Sequence, residues 1–121
     1  MIRIISGIFL LLIMSGCWER EVQRDFYDSG RLRSIATLKN GLLDGVSKSY
    51  YESGALKTDA HYKYGLLNGL AREYYESGSL KAQTFFENGI LNGVSISWAE
   101  DGTEIDRVEF VWGALKFSDV E

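Results

Sequence analysis

The chain has 121 residues, of which 45% are hydrophobic and 25% charged. That is the composition of a globular protein, and the length suits one domain with one modest core. Seventeen acidic side chains against 13 basic ones give a formal charge of −4. This balance lacks the positive field that supplies most affinity for phosphate backbones, and it argues against a nucleic-acid partner.

Residues 1–16 read MIRIISGIFLLLIMSG. A basic residue (Arg3), an apolar stretch (Ile4 to Met14) and the small residues Ser15 and Gly16 give the layout of a secretory signal peptide. The apolar stretch is shorter than the roughly 20 residues a membrane-spanning helix needs. The sole cysteine, Cys17, follows directly. The run Ile13-Met14-Ser15-Gly16-Cys17 resembles the lipobox of bacterial lipoproteins, with Met14 where leucine is commoner. The resemblance implies that Cys17 becomes the first mature residue and carries a diacylglyceryl thioether and an amide-linked acyl chain. Several acyl chains give stable anchoring where one is marginal. The other reading is an ordinary cleaved signal that leaves an unpaired cysteine, which is uncommon in an oxidising compartment. Loss of residues 1–16 removes Arg3 and makes the body more acidic. Anionic headgroups would then repel it, so the lipid rather than surface charge would hold the chain at the envelope membrane.

Beyond a short tether (17–21), the chain is periodic. Gly30, Gly54, Gly78 and Gly102 recur every 24 residues, as do Gly41, Gly65, Gly89 and Gly113, and Gly45, Gly69 and Gly93 form a third column. These columns hold 11 of the 13 glycines, and glycines in strict register mark turns rather than general flexibility. The first column ends the stretches YDSG, YESG, YESG and AEDG; the second ends LKNG, YKYG, FENG and FVWG. Both fit a three-residue hairpin loop with glycine in the left-handed position. Strands of about six to eight residues between them predict an antiparallel meander over 22–117, with 118–121 as a tail.

Taking Glu76-Ser77-Gly78 as a loop pairs Tyr74 with Leu80, Arg72 with Ala82 and Leu70 with Thr84. Taking Glu87-Asn88-Gly89 as the next pairs Phe86 with Ile90 and Ala82 with Val94. One apolar face then carries Leu70, Tyr74, Leu80, Ala82, Phe86, Ile90, Val94, Ile96 and Trp98. Across the array this gives the columns Phe26/Tyr50/Tyr74/Trp98, Leu38/Tyr62/Phe86/Phe110 and Val22/Val46/Leu70/Val94, which read as packing ladders. The opposite face is expected to alternate Tyr27, Tyr51 and Tyr75 with Ser49, Lys57, Asp59, Glu73, Lys81 and Gln83. Tyrosine is a favoured interface residue, and this stripe is the candidate partner-binding site.

The consensus YYESGxLKxxxxFxNGxLNG resembles the MORN-repeat variant of bacterial proteins labelled as YwqK-type antitoxins. The resemblance runs from Val22 to about Phe117. Its fourth unit departs, with Ala99 for tyrosine, Glu104 for leucine and Ala114-Leu115-Lys116-Phe117 for the LLNG turn, as a capping repeat does. It implies an all-β fold: an elongated, twisted, single-layer antiparallel sheet of about four stacked hairpins. Eight strands would make it roughly 35–40 Å long. It also implies antitoxin or immunity-like roles, but the shared residues are scaffold positions, and function does not follow from fold.

Catalytic chemistry finds few candidates. His61 stands alone, expected on the face away from the core in the column Thr37/His61/Phe85/Glu109, and the usual zinc ligands are too few. Asp28, Glu52, Glu76 and Glu100 recur once per hairpin, roughly 9.5 Å apart. That falls within the spacing of inverting glycosidases, but turn preference explains all four. No cofactor is expected. The leading expectation is a noncatalytic, lipid-anchored envelope protein that binds another protein. The alternative is a structural lipoprotein that binds glycan or peptidoglycan, and self-association through a terminal strand is a further expectation.

Overall fold

The computed structural model describes residues 19–117. The expected signal segment, with any helix in it, and Cys17 lie outside the described residues, as does the tail 118–121. The described chain forms one antiparallel sheet of ten strands: β1 (Arg20–Phe26), β2 (Leu32–Lys39), β3 (Leu42–Tyr50), β4 (Leu56–Lys63), β5 (Leu66–Tyr74), β6 (Leu80–Glu87), β7 (Ile90–Leu91), β8 (Gly93–Trp98), β9 (Glu104–Val111) and β10 (Ala114–Leu115). The strands follow one another in chain order across the sheet, with β7 and β8 both paired to β6. β7 and β8 are two parts of one strand interrupted at Asn92, and β10 opens a further strand beyond the four expected hairpins. Among the described residues no helix is long and apolar enough to cross a membrane.

The two glycine columns make different turns. At the first, Gly78 N–H donates to Tyr75 O and Tyr75 N–H to Ser79 O, both at 2.9 Å, with Gly78 at φ 95°. This is the expected three-residue loop. The second column is tighter than expected. Glu87 pairs with Ile90 and Phe86 with Leu91, leaving a two-residue loop whose members, Asn88 and Gly89, have φ of 49° and 80°. Positive φ at both positions defines a type I′ turn, whose twist matches that of the flanking strands. Asn40, Tyr64 and Trp112 occupy the equivalent position at 52°, 50° and 49°. Asparagine adopts this conformation readily, whereas a bulky aromatic is strained in it. Tyr64→Asn should therefore stabilise the sheet by about 0.5–1 kcal/mol, a gain readable as a raised midpoint in chemical denaturation.

Face assignment also departs from simple alternation. Tyr74 pairs with Leu80 as expected, but Glu73 pairs with Ala82, Arg72 with Gln83 and Ala71 with Thr84. Lys81 is an extra residue, a β-bulge that reverses which side the rest of β6 presents. Arg33, Lys57 and Ile105 are the extra residues of the other units. The expected single apolar face is thus divided between both sides of the sheet.

On one face the pairs Leu38–Leu43, Tyr62–Leu67, Phe86–Leu91 and Phe110–Leu115 form a large apolar column. Beside it lies a strip of small residues that includes Ala36–Ser47, Ala60–Ala71 and Ala71–Thr84. The other face carries Phe26–Leu32, Tyr50–Leu56 and Tyr74–Leu80, and Val46–His61 and Leu70–Phe85. His61 therefore sits among the Val46/Leu70 apolar residues, not away from them, with Nδ1 3.4 Å from Leu70 O. Between these columns on the same face, Asp59 pairs with Lys48 and Arg72 on its two neighbouring strands. Its Oδ1 is enclosed without a hydrogen-bond partner.

No described side chain is fully buried. A single layer has no second sheet to cover it, so stability comes from cross-strand pairs and the hydrogen-bonded ladder rather than from a central core.

Candidate binding groove on the small-residue face

The bulges position the site. Each bulge cation folds over the tyrosine of its own turn: Lys57 Nζ lies 5.5 Å from the Tyr51 ring centroid, Lys81 Nζ 5.7 Å from that of Tyr75, and Arg33 Cζ 5.9 Å from that of Tyr27. Lys81 also donates to Glu73 Oε1 at 2.9 Å, which raises its pKa through that hydrogen bond first and the Glu73 charge second, with a smaller contribution from Tyr51 and Tyr75. The tyrosine row thus borders the face that carries Glu73. Unit four lacks both members of this pair, having Ala99 and Ile105 instead.

The row has a second task. Tyr27 Oη donates to Tyr50 O at 2.6 Å, Tyr51 Oη to Tyr74 O at 2.7 Å and Tyr75 Oη to Trp98 O at 2.9 Å. Each hydroxyl ties its turn to the backbone of the next unit. The three predicted partner-binding tyrosines thus lie on one line, half-buried, with their hydroxyls occupied by the scaffold.

Between this row and the aromatic column lies a groove of about 320 Å³ lined by Thr58, Ala60, Tyr62, Leu67, Ala71, Arg72, Glu73, Ala82, Thr84 and Phe86. Small side chains make the floor and Tyr62, Leu67 and Phe86 one bank. The groove crosses β4, β5 and β6, so it runs across the strands. Ser49 Oγ with Thr58 Oγ1 (2.5 Å) and Thr84 Oγ1 with Ser95 Oγ (3.0 Å) satisfy hydroxyls along it. Alternation did not reveal the groove because it placed Ala82 and Phe86 with Tyr74. The small-residue column Ala36/Ala60/Thr84 at 24-residue spacing was its visible trace.

The turn acids Asp28, Glu52, Glu76 and Glu100 lie on exposed loops. Among the described residues no three His, Cys, Asp or Glu side chains cluster closely enough to hold a metal ion. Hydrogen bonds lower the pKa of three surface carboxyls: Asp25 through the Arg33 guanidinium, Asp101 through the Thr103 backbone N–H and Glu104 through the Arg107 guanidinium. A carboxyl with a lowered folded pKa stabilises the fold fully above its ordinary value, 3.8 for Asp and 4.5 for Glu. It loses that contribution as pH falls through the folded value. The melting temperature should be level above about pH 5 and decline below about pH 4. Asp25→Asn should flatten part of that decline in thermal scans between the two conditions.

Comparison with known proteins places these features. No curated protein matches the sequence. A chain in the crystal structure of accessory secretory protein 1,2 and 3 in Streptococcus pneumoniae superposes at 15% identity with a TM-score of 0.44. The alignment covers 76% of this chain but spans only 17% of that one, too loose a likeness to bear on function. Residues 43–64 and 67–88 each match the MORN repeat variant. Each match brackets one hairpin built on a three-residue turn, β3–β4 and β5–β6, so the central units of the array are similar to MORN-variant repeats.

Proposed function

We propose that this chain is a noncatalytic scaffold, held at a bacterial envelope membrane by lipid on Cys17, whose repeat sheet binds another protein. Neutralisation of a toxin, as an antitoxin or immunity protein does, is the most specific form of this reading. The groove carries it: an apolar channel with a small-residue floor, crossing several strands, suits an extended or helical segment of a partner. The MORN-variant repeats support a repeat-built binding platform in general terms.

Neighbouring residues on opposite faces provide the test. A photo-crosslinking residue at Thr84 faces the groove, whereas one at Gln83 faces away. Crosslinks to a protein from position 84, absent from 83 and abolished by Ala71→Trp, are expected in native envelopes. Equal crosslinking from both faces would remove the groove from the proposal. Anchoring is tested by metabolic labelling with an acyl probe, which should mark the native chain and not Cys17→Ala.

The glycan reading has less support. Sugars stack on open aromatic faces, and Arg33, Lys57 and Lys81 lie over Tyr27, Tyr51 and Tyr75. Cosedimentation with purified cell wall would restore it.

A further inference from the structure

The face opposite the groove carries a row of side chains that runs straight across the strands. Arg24 pairs with Ile35, Ile35 with Lys48, Lys48 with Asp59, Asp59 with Arg72 and Arg72 with Gln83. Directly paired residues point to the same side of a sheet, so these side chains lie in one line. Every second member is a cation, and the repeat supplies all of them: Arg24, Lys48 and Arg72 are 24 residues apart. Two strand spacings separate each cation from the next, roughly 9.5 Å. The Tyr50–Leu56 and Tyr74–Leu80 pairs bank the row on one side, and Val46–His61 and Leu70–Phe85 on the other.

The fold leaves these cations open. Arg33, Lys81, Arg107 and Lys116 each hold an acid of their own. Among the described residues, Arg24 and Lys48 have neither a hydrogen bond nor an ion pair. Arg72 also borders the groove, but its Nε donates to the neutral Gln83 Oε1 at 3.2 Å. That bond places the guanidinium on the face of the row and leaves its two terminal nitrogens for a ligand. Asp59 stands between Lys48 and Arg72, yet no hydrogen bond from either reaches its enclosed Oδ1. Beside Ile35 and Lys48 lies an apolar hollow of about 320 Å³, completed by Thr37, Val46 and Tyr50.

We propose that this row binds an anionic polysaccharide in which acidic and neutral sugars alternate. An extended polysaccharide advances by about one strand spacing per ring, so one carboxylate per disaccharide falls on each of Arg24, Lys48 and Arg72. Arginine meets a carboxylate with two parallel hydrogen bonds and lysine meets it as a point charge. The neutral rings then lie over Ile35, Asp59 and Gln83. The hollow beside Ile35 takes a ring face, and Asp59 and Gln83 accept from sugar hydroxyls. Asp59 selects the polymer: a charge on every sugar, or the phosphates of a nucleic acid, would set an anion against its carboxylate. An acidic polypeptide would neutralise the cations but bring few donors for Asp59. The Tyr27/Tyr51/Tyr75 line, covered by its own cations, takes no part. Because the row faces away from the groove, this site goes beyond the protein-binding reading and does not depend on it.

Titration calorimetry of the full chain with a hexasaccharide of alternating glucuronate and N-acetylglucosamine tests the site. Affinity should fall about tenfold in Lys48→Gln and about tenfold in Arg72→Gln, one charge-assisted contact each. Lys48→Arg keeps the charge and should bind as the native chain does. Ala71→Trp fills the groove on the other face and should change nothing. The native chain should prefer the alternating hexasaccharide to a glucuronate homopolymer of equal length, and Asp59→Asn should narrow that preference at least threefold. Thermal melts show which variants are folded; should Arg72→Gln fail to fold, the two Lys48 variants decide. No binding, binding that poly-glutamate equals, or a loss in Ala71→Trp as large as in Lys48→Gln overturns the proposal. Each of these results leaves the crosslinking test at Thr84 standing.

Discussion

Alanine at position 69 should cost about 2–3 kcal/mol of folding free energy, whereas alanine at position 78 should cost about 1 kcal/mol. Both glycines have positive φ, 115° and 95°, so an L side chain is strained at either. They differ in how far φ lies from the left-handed well at about 57°, and Gly69 lies farther. A Cβ built on Gly78 meets nothing within 4 Å and one on Gly69 makes ordinary van der Waals contact with His61 Cβ at 3.4 Å, so the difference in cost comes from the backbone. Gly69 belongs to the irregular stretch of β5, between the Ala60–Ala71 and Tyr62–Leu67 pairs. The backbone there passes close to the His61 column. Gly93 repeats the arrangement with Phe85 Cβ at 3.4 Å. Because each unit is supported by its neighbours, damage at the centre of the array should propagate to both sides. Urea denaturation of the two variants measures the difference. Equal losses would show that the larger φ at Gly69 adds nothing to the strain.

The same comparison explains what could be read from the chain. The 24-residue period located all eight turns, because each needs a positive φ that glycine takes most readily, so a glycine recurs in every one. The third glycine column, read as further turns, lies instead within or beside strands, where the ladder is irregular. Face assignment failed at one residue per unit. Leu32-Arg33, Leu56-Lys57 and Leu80-Lys81 place a cation beside an apolar residue just where strict alternation predicts opposite faces. The bulge lets the cation turn back over the tyrosine instead. Once that residue is counted as extra, His61 joins Val46 and Leu70, and Ala82 and Phe86 join the groove. The groove itself was hidden for that reason. The Tyr27/Tyr51/Tyr75 line was legible as a line, but the target of its hydroxyls was not. A carbonyl 23 residues away leaves no mark in a side-chain pattern.

Replacing Tyr51 by phenylalanine separates the two tasks of that line. The change keeps the ring and removes the donor to Tyr74 O at 2.7 Å. A hydrogen bond in this half-buried setting contributes about 1 kcal/mol, and the carbonyl left behind loses its tie to the neighbouring unit. The triple variant Tyr27→Phe, Tyr51→Phe and Tyr75→Phe should therefore lose about 3 kcal/mol, close to additively because the sites lie two strands apart. Lys57 and Lys81 should still cover the rings, since their attraction is to the aromatic face rather than the hydroxyl. If the tyrosines serve the scaffold, the single Tyr51→Phe variant melts earlier yet crosslinks its partner from Thr84 as the native chain does. If they are recognition residues, crosslinking falls by more than the loss of folded protein explains. Thermal unfolding and crosslinking yield on the same preparation decide between them, and the three occupied hydroxyls favour the first outcome.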